Sequence, residues 1–419
     1  HVPAQALAAA AVTAALVPLR ETRRGAAARG GRATAIARHA SAVASMSMDK
    51  EALHARIAET KAAASKNEKF SDEELERAVK SLRDLAGPLA ESLNWSAYRD
   101  LLAQAAGESH KDWARTGKFS QALTPFLPGP ENVAFCKVFQ RALKDGQWDA
   151  AVAAAEARPA SAKPWAVLVT GLNGIRKTSA MYEAWFKDVL HQALADQYSD
   201  LPEKEELPAG RDSFFRQLDY IIATAANEEF RDLYKVDDIE LYAMQKDSIF
   251  ARYRMVAEMW GALLVREAQK KRLNVMVETS GRDIAMFKYV DEFFPDADYR
   301  KLVIHFEINE LSFAEKSVDS RMEKEMLDGR AASEGEPIDI VRANAGGPYG
   351  SKVLAKVQEE SQKVWEEVAA GGKVSDSWYK ASIFINASAN APWTVRAGCG
   401  ADPPEVAAAR ESFEFAPRK

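Results

Sequence analysis

The spacing of apolar positions divides the chain into two patterns. Between residues 49 and 160, apolar side chains recur at helical spacing, and turn residues separate the segments. From residue 165 onward, short apolar runs alternate with long helical segments, which is typical of a parallel sheet with helices on both faces. The sequence therefore predicts an α/β fold preceded by a small all-helical domain.

The individual elements follow from the same spacing. Helices are predicted first at residues 50–64, 72–86, 96–106, 132–144 and 148–157. The second of these has Ser71 before it and Glu74 three residues later, the pattern of a capping box. Strands are predicted at residues 165–170, 214–218, 274–277, 302–308 and 381–385. The helices between them are predicted at residues 177–195, 247–271, 282–294, 312–327 and 350–369, with polar loops at 199–211 and 329–337.

Residues 1–48 differ from the rest in composition. They contain six arginines, many Ala and Ser residues and a single acid, Glu21, which is typical of an organelle targeting segment. Their longest apolar run, residues 6–19, is shorter than the roughly 20 residues of a membrane-spanning helix. An apolar run before an Arg/Ser-rich stretch predicts a plastid (chloroplast) address, with mitochondrion or cytosol as alternatives. The other interpretation is a disordered start on a cytosolic protein that begins at Met46 or Met48.

Composition and charge exclude several classes of protein. The chain has 419 residues, of which 47% are hydrophobic and 28% charged, so a wholly disordered chain is excluded. Removing the six arginines and one glutamate of residues 1–48 from 56 basic and 61 acidic residues leaves a net charge of about −10. We therefore expect no nucleic-acid partner. Cys136 and Cys399 alone form neither a disulfide framework nor a zinc cluster. The predicted units are residues 1–48, 49–160, 161–390 and a tail, 391–419.

The strongest chemical signal is the segment GLNGIRKT, residues 171–178, which follows an apolar strand and opens a helix. That context is the one in which a phosphate-binding loop works. Glycines let the backbone amides point at phosphate, the helix start adds a positive dipole end, and Lys177 reaches the outer phosphates. The predicted nucleotide-binding residues are Gly171, Asn173, Gly174, Ile175, Arg176, Lys177 and Thr178. Thr178 is also the predicted magnesium ligand.

One position departs from the GxxxxGK[ST] pattern of such loops, because Arg176 stands where the second glycine is expected. If this position needs a positive φ angle, arginine is strained there by about 1 kcal/mol. If the position is already helical, arginine costs little and is free to contact phosphate. An ordinary loop and a degenerate site that has lost its nucleotide are the remaining interpretations.

Two later segments extend the pattern, NVMVETSGRD at residues 274–283 and the strand 302–308 with residues 313–321 behind it. Together with the phosphate loop, they make residues 161–390 resemble a zeta-toxin-type P-loop kinase domain. The resemblance implies a P-loop NTPase-like sheet, the use of ATP and Mg²⁺, and transfer of phosphate to a hydroxyl of a nucleotide-like acceptor. It places Glu278, Thr279, Ser280 and Arg282 against that acceptor. A helix N-cap partner is the structural alternative for Glu278.

The resemblance also implies catalytic residues beside Lys177. Asp219 matches an aspartate that accepts the proton of the attacked hydroxyl, although the D-x-F-R run of the family is absent; the alternative role is a helix N-cap. Arg321, and as a second candidate Arg330, match arginines that neutralise charge on the γ-phosphate. The alternative for Arg321 is a surface ion pair with Glu325.

Within this resemblance, the layout is similar to that of plant calmodulin- and calcium-dependent NAD kinases, which implies NAD as the acceptor. For calmodulin, residues 133–144 offer a modest basic amphipathic helix, although such a pattern more often belongs to an ordinary packed helix. Two other functions stay open: a non-catalytic P-loop assembly protein of the plastid, and an NTPase coupled to a partner. The sequence identifies neither the acceptor nor the oligomeric state.

Overall fold

The protein was analysed as a computed structural model that describes residues 50–195, 197–398 and 412–415. The predicted targeting segment, residues 1–48, lies outside the described residues. Residues Lys50–Lys419 belong to one compact unit. Its centre is a seven-stranded sheet with helices on both faces, after a helical region that leads into the first strand. The predicted fold class is therefore confirmed.

The sheet is parallel in its first five strands and antiparallel at one edge. The strands are β1 (Trp165–Gly171), β2 (Ser213–Phe215), β3 (Asn274–Glu278), β4 (Arg300–Ile308), β5 (Trp378–Asn386), β6 (Trp393–Gly398) and β7 (Phe413–Phe415). Their order across the sheet is β2-β3-β1-β4-β5-β6-β7. Strand β1 lies between β3 and β4, and the carboxyl ends of these parallel strands meet at one edge. In open sheets of this kind, ligands bind beyond that edge.

The helices before the sheet are α1 (Lys50–Ser65), α2 (Asp72–Ala86), α3 (Trp95–Ala105), α4 (Trp113–Leu123), α5 (Val133–Val138), α6 (Gln140–Asp145) and α7 (Trp148–Ala157). Those within the sheet region are α8 (Lys177–Met181), α9 (Phe186–Ala195), α10 (Leu218–Ala225), α11 (Asn227–Leu233), α12 (Ile239–Arg252), α13 (Arg254–Lys270), α14 (Ala285–Phe293), α15 (Leu311–Ser333), α16 (Pro337–Ala343) and α17 (Leu354–Ala369). The capping box at Ser71 is present: its hydroxyl accepts from Glu74 N, and the Glu74 carboxylate accepts from Ser71 N. No helix in the described part is both long and apolar enough to cross a membrane.

The hydrophobic core explains why β1 reads as a continuous apolar run. All seven of its residues are buried, because helices cover both faces of the sheet at this strand. On one face, Trp260 of α13 is fully buried among aromatic rings of the helical region, with Phe139 at 4.8 Å and Phe135 at 6.0 Å between ring centroids. The helical region therefore shares a core with the sheet-covering helices. The domain boundary at residue 160 stays a prediction.

Several predicted elements differ from the observed ones. Strand β2 ends at Phe215, and Leu218 already begins α10. The predicted helix 247–271 is two helices, with a break at Tyr253, and α15 continues through the predicted polar loop as far as Ser333. The segment predicted as a tail supplies β6, which pairs antiparallel with β5. Helix α4 is missing from the prediction.

Candidate functional site

The phosphate loop joins β1 to α8 through a turn in which glycine is required. Gly171 and Gly174 have φ angles of 116° and 86°, in the region that L side chains rarely adopt. A Cβ at Gly174 would lie 2.7 Å from the Ala314 carbonyl oxygen, and one at Gly171 would collide with the Phe306 carbonyl oxygen. The loop can therefore pass this close to β4 and α15 only with glycine at both positions.

Lys177 is the first residue of α8, and its ammonium group lies inside the loop. Its Nζ donates to the carbonyl oxygens of Gly171 and Leu172, at 2.8 and 2.9 Å, and lies 3.4 Å from Glu278 Oε1. The side chain is only 3% exposed, and burial lowers the pKa of Lys177, while the neighbouring Glu278 raises it. A buried cation held by carbonyl oxygens at a helix start suits the outer phosphates of a nucleotide.

Thr178 and Glu278 bring two oxygen donors together next to the loop. Thr178 Oγ1 donates to Glu278 Oε2 at 2.7 Å, and Glu278 ends strand β3 beside β1. One hydroxyl and one carboxylate fit Mg²⁺, which is usually held by one or two protein oxygens together with substrate phosphates and water. In the residues that the structure describes, no group of three His, Cys, Asp or Glu side chains forms a metal cluster.

Arg176 occupies a left-handed backbone conformation, with φ 67° and ψ 27°. The position therefore does need a positive φ, and arginine is strained there by about 1 kcal/mol. Its side chain is half-buried, Nε has no hydrogen-bond partner, and burial together with the charge of Arg321 lowers the pKa of Arg176. A guanidinium whose Nε lacks a partner, close to the charge of Arg321, suits the binding of an anion.

A glycine loop at residues 344–349, NAGGPY, faces the phosphate loop and was not recognised in the sequence. A Cβ at Gly347 would lie 3.0 Å from Asn173 Nδ2 and 3.5 Å from Asp219 Oδ2. Arg321 Nη2 donates to Gly347 O at 3.3 Å. The paired glycines followed by proline were the only sequence signal. Side chains from three elements thus converge on this backbone.

Asp219 lies in the first turn of α10, and Gln217 precedes the helix as its N-cap residue. The N-cap alternative for Asp219 therefore does not hold. Burial raises the pKa of the Asp219 carboxyl, and the nearby charges of Lys246 and Arg321 oppose that shift. A carboxylate with a raised pKa close to a cationic group suits a residue that takes up a proton during reaction.

A buried ion pair holds the glycine loop in place. Both Lys246 Nζ–O distances to the Glu325 carboxylate are 2.7 Å, and each of these side chains is 1% exposed. Glu325 also accepts from Tyr242 Oη at 2.7 Å and from Ala345 N at 2.8 Å. Glu325 is thus engaged by Lys246, which excludes the surface ion pair considered for Arg321. That network fixes Ala345 next to the two glycines.

The turn after β3 completes the cleft. Thr279 N donates to Val169 O at 2.9 Å, which ties the turn to β1. Arg282 donates to Tyr349 Oη at 2.6 Å and lies over its ring at 4.8 Å. The cleft between this turn, the phosphate loop and the glycine loop has a volume of about 860 Å³. A cleft of that size lies within the range of small-molecule and cofactor sites.

The structure brings most of the predicted site residues to this cleft. Its walls include Asn173, Gly174, Thr178, Asp219, Glu278, Thr279, Ser280, Arg282 and Arg321. Four of the predicted phosphate-loop residues do not line the cleft: Gly171, Ile175, Arg176 and Lys177. Arg330 does not line it either, because it is exposed near the end of α15. Phe135 and Phe139, anchors of the predicted calmodulin segment, are fully buried, as in an ordinary packed helix. Calmodulin binding stays a prediction.

Comparison with known proteins gives a weak likeness in shape. No family model matches the chain, and no curated protein matches it. Among solved structures, it is similar to a chain from the PezAT chromosomal toxin-antitoxin system of Streptococcus pneumoniae, with 13% sequence identity and a TM-score of 0.29. The match covers 59% of this chain and 77% of that chain. A likeness this weak supports no function for the cleft, which therefore has to follow from the side chains that line it.

Proposed function

We propose that this protein is an ATP-dependent phosphotransferase that moves the γ-phosphate to a hydroxyl group of a nucleotide-like acceptor. The observation that carries the proposal is that Asp219 and Arg321 line one cleft together with Thr178 and Glu278, while Lys177 lies buried in the adjoining phosphate loop, 3.4 Å from Glu278 Oε1. A buried cation, a carboxylate with a raised pKa and an arginine are the groups that phosphoryl transfer requires, because its transition state needs alignment and charge neutralisation rather than covalent help.

Each residue has a distinct task in this proposal. The amides of residues 171–178 and Lys177 bind the β- and γ-phosphates, and Arg176 adds a charge at the same loop. Thr178 and Glu278 would hold Mg²⁺, which when bound neutralises charge on the phosphates. Arg321, held by the glycine loop, neutralises the equatorial oxygens of the transferring group. An arginine in that role is worth roughly 10³-fold or more in rate.

Asp219 acts on the acceptor. Its carboxylate accepts the proton of the attacked hydroxyl while the oxygen forms its bond to phosphorus and the bond to ADP breaks. Thr279, Ser280 and Arg282 orient the acceptor so that this hydroxyl faces the γ-phosphate. The family resemblance supports NAD as the acceptor, with sugar nucleotides as the alternative class. Regulation by calmodulin is a proposal on the same ground, and a plastid location is a proposal that rests on the composition of residues 1–48.

Phosphate transfer followed by ³¹P NMR tests the proposal. Purified protein is incubated with Mg-ATP alone, and then with NAD, a UDP-sugar or small alcohols added. We expect a new phosphate ester only when an acceptor is present, and its loss in Lys177→Ala. Lys204→Ala, which removes an exposed lysine paired with Asp188 elsewhere on the surface, is the matched control.

The other outcomes decide between the alternatives. Release of free phosphate without an acceptor would indicate an NTPase coupled to a partner. No binding of ATP or GTP at millimolar concentration, with Lys177→Ala indistinguishable from the unmodified chain, would overturn the proposal and leave a non-catalytic assembly protein.

A further inference from the structure

The loop between α3 and α4 in the helical region reaches the same cleft. Glu108, Ser109, His110 and Lys111 line the cleft on the side of the turn after β3. The sequence offered a calmodulin segment in the helical region but no residue of this cleft. A role for this loop rests on the proposed phosphotransfer function and concerns the acceptor end of that site.

Two contacts fasten this loop to the turn that carries Ser280 and Arg282. Lys111 Nζ lies 2.7 Å from Asp283 Oδ2, and Trp113 Nε1 donates to Ala285 O at 2.8 Å. The Trp113 side chain is buried and packs edge-on against Tyr289, with ring centroids 5.1 Å apart. The loop and the turn are thereby held as one wall of the cleft.

His110 presents a half-buried imidazole within this wall. Burial, together with the positive charge of Arg254, lowers the pKa of His110 to about 4. The imidazole is therefore neutral at physiological pH, with one nitrogen that donates and one that accepts a hydrogen bond. A neutral ring of this kind suits a sugar or base edge and adds no net charge.

Arg254 also lines the cleft, beside His110. Its guanidinium is oriented by the buried carboxylate of Glu258. Its Nε donates to Glu258 Oε1 at 2.9 Å, and the other Glu258 oxygen accepts from Arg216 Nη1 at 2.6 Å. Glu258 is fully buried, whereas the Arg254 side chain keeps 29% of its surface exposed. Among the described residues, Arg254 pairs with Glu258, through its Nε. The two Nη atoms of Arg254 are thus available to an anionic group such as a phosphate.

We propose that His110 and Arg254 form an acceptor subsite that binds the end of the acceptor farther from the transferring phosphate, with His110 against a neutral polar edge and Arg254 against an anionic group. Lys111 and Trp113 are positioning residues that hold the subsite against the turn after β3. The helical region is then part of the acceptor site.

Diadenosine pentaphosphate is a suitable probe, because it carries a nucleotide and a second anionic nucleoside group on one chain. Its affinity and that of ATP are measured by calorimetry with magnesium present. We expect His110→Ala and Arg254→Ala each to weaken the probe at least about tenfold and to leave the affinity for ATP unchanged. His54→Ala, on the exposed surface of α1, is the matched control.

A spectroscopic readout separates contact from a purely structural role. The chain has six histidines, so the His110 imidazole signal is assigned by its loss in His110→Ala. The probe should shift this signal and ATP alone should not. A Trp113→Phe variant, which keeps the ring packing and removes the bond to Ala285, should reduce affinity for the probe and leave affinity for ATP intact.

The outcomes distinguish the two proposals. If ATP binds with dependence on Lys177 but the probe binds no more tightly than ATP and leaves His110 unshifted, the acceptor subsite is wrong while the proposed function stands. Equal losses for ATP and the probe in His110→Ala would also overturn the subsite, because they would indicate a general structural effect. Failure of ATP to bind at all would overturn the proposed function first.

Discussion

The two ends of the cleft are built in different ways. The phosphate end consists of eight consecutive residues, 171–178, whose shape follows from two glycines and a helix start. The acceptor end is assembled from a loop of the helical region, the start of α13, the turn after β3 and the glycine loop. The first depends on local backbone geometry, and the second on side chains that distant elements bring together.

This difference has an energetic side. Backbone amides and a helix dipole are fixed as soon as the strand and helix form. The acceptor end is held by buried ion pairs, Lys246 with Glu325 and Arg216 with Glu258, whose members are each about 4% exposed or less. Breaking one partner of such a pair leaves an uncompensated buried charge. We therefore expect substitutions at the phosphate end to change the rate of phosphate transfer. Substitutions in the ion pairs behind the acceptor end should lower the free energy of unfolding as well.

The largest expected effect is at Asp219, where both ends meet. Asp219→Asn should reduce the rate of transfer by roughly 10²- to 10⁴-fold, because the amide cannot accept the proton. Burial raises the pKa of the native carboxyl, so its ionised form is unfavourable in the folded state. The variant should therefore be no less stable than the unmodified protein at neutral pH. Rate assays and urea unfolding check both statements.

The pH profile sharpens this prediction. Because the base must be ionised, kcat/KM should rise with pH through an apparent pKa above 3.8, the usual value for aspartate. Stability should change in the opposite sense: the contribution of this group is complete below its unfolded pKa and is lost as pH rises through the folded one. If Asp219→Asn kept the full rate and the same rise of kcat/KM with pH, Asp219 would have no part in the mechanism.

The next effect in size is at Glu325, behind the glycine loop. Glu325→Gln should lower the free energy of unfolding by about 3–5 kcal/mol, because Lys246 would remain buried without its counter-charge. Transfer should fall too, since Ala345 loses the carboxylate that fixes the glycine loop. Urea unfolding and steady-state kinetics measure the two effects.

An exposed pair on the same helix is the control. Asp328→Asn removes the partner of Lys324 on α15 and should cost less than about 0.5 kcal/mol. Adding Lys246→Met to Glu325→Gln should restore much of the lost stability, because the unpaired charge is gone. Equal, small losses for Glu325→Gln and Asp328→Asn would contradict the role given to the buried pair.

The sequence predicts the phosphate end well because that end depends on local backbone geometry. A strand covered on both faces is a continuous apolar run, so β1 is visible in the sequence, and a loop between strand and helix follows from its glycines. Thr178 is named from the local pattern of the loop and Glu278 from the family resemblance of a later segment, and the structure joins them through a hydrogen bond. The predicted order of strand, loop and helix is confirmed here.

The acceptor end is harder to predict from the sequence, because the residues that contact each other there lie far apart in the chain. Lys246 and Glu325 are 79 residues apart, and neither carries a local pattern that marks it as buried. The helical spacing of apolar residues also continues through Tyr253, where the structure has a break between helices α12 and α13. No proline or glycine marks this break in the sequence. Arg330 shows the opposite error: the family resemblance suggested a site residue, and the long helix α15 leaves it exposed.

The smallest expected effect tests whether the unusual loop residue contributes to binding. Arg176→Gly relieves the left-handed strain but adds flexibility to the unfolded chain, so the free energy of unfolding should rise by about 1 kcal/mol or less. Affinity for ATP should fall several-fold, about 1 kcal/mol, because one charge at the phosphates is lost. Calorimetry and urea unfolding give both quantities.

Gln147 provides the matched control, because it is the exposed residue before α7 and has nearly the same backbone angles, φ 60° and ψ 37°. Gln147→Gly should change stability as Arg176→Gly does and leave ATP affinity untouched. A loss of affinity confined to Arg176→Gly then belongs to the guanidinium rather than to the backbone. Unchanged affinity in both variants would show that the phosphate end works through its amides and Lys177 alone, with Arg176 a tolerated strain.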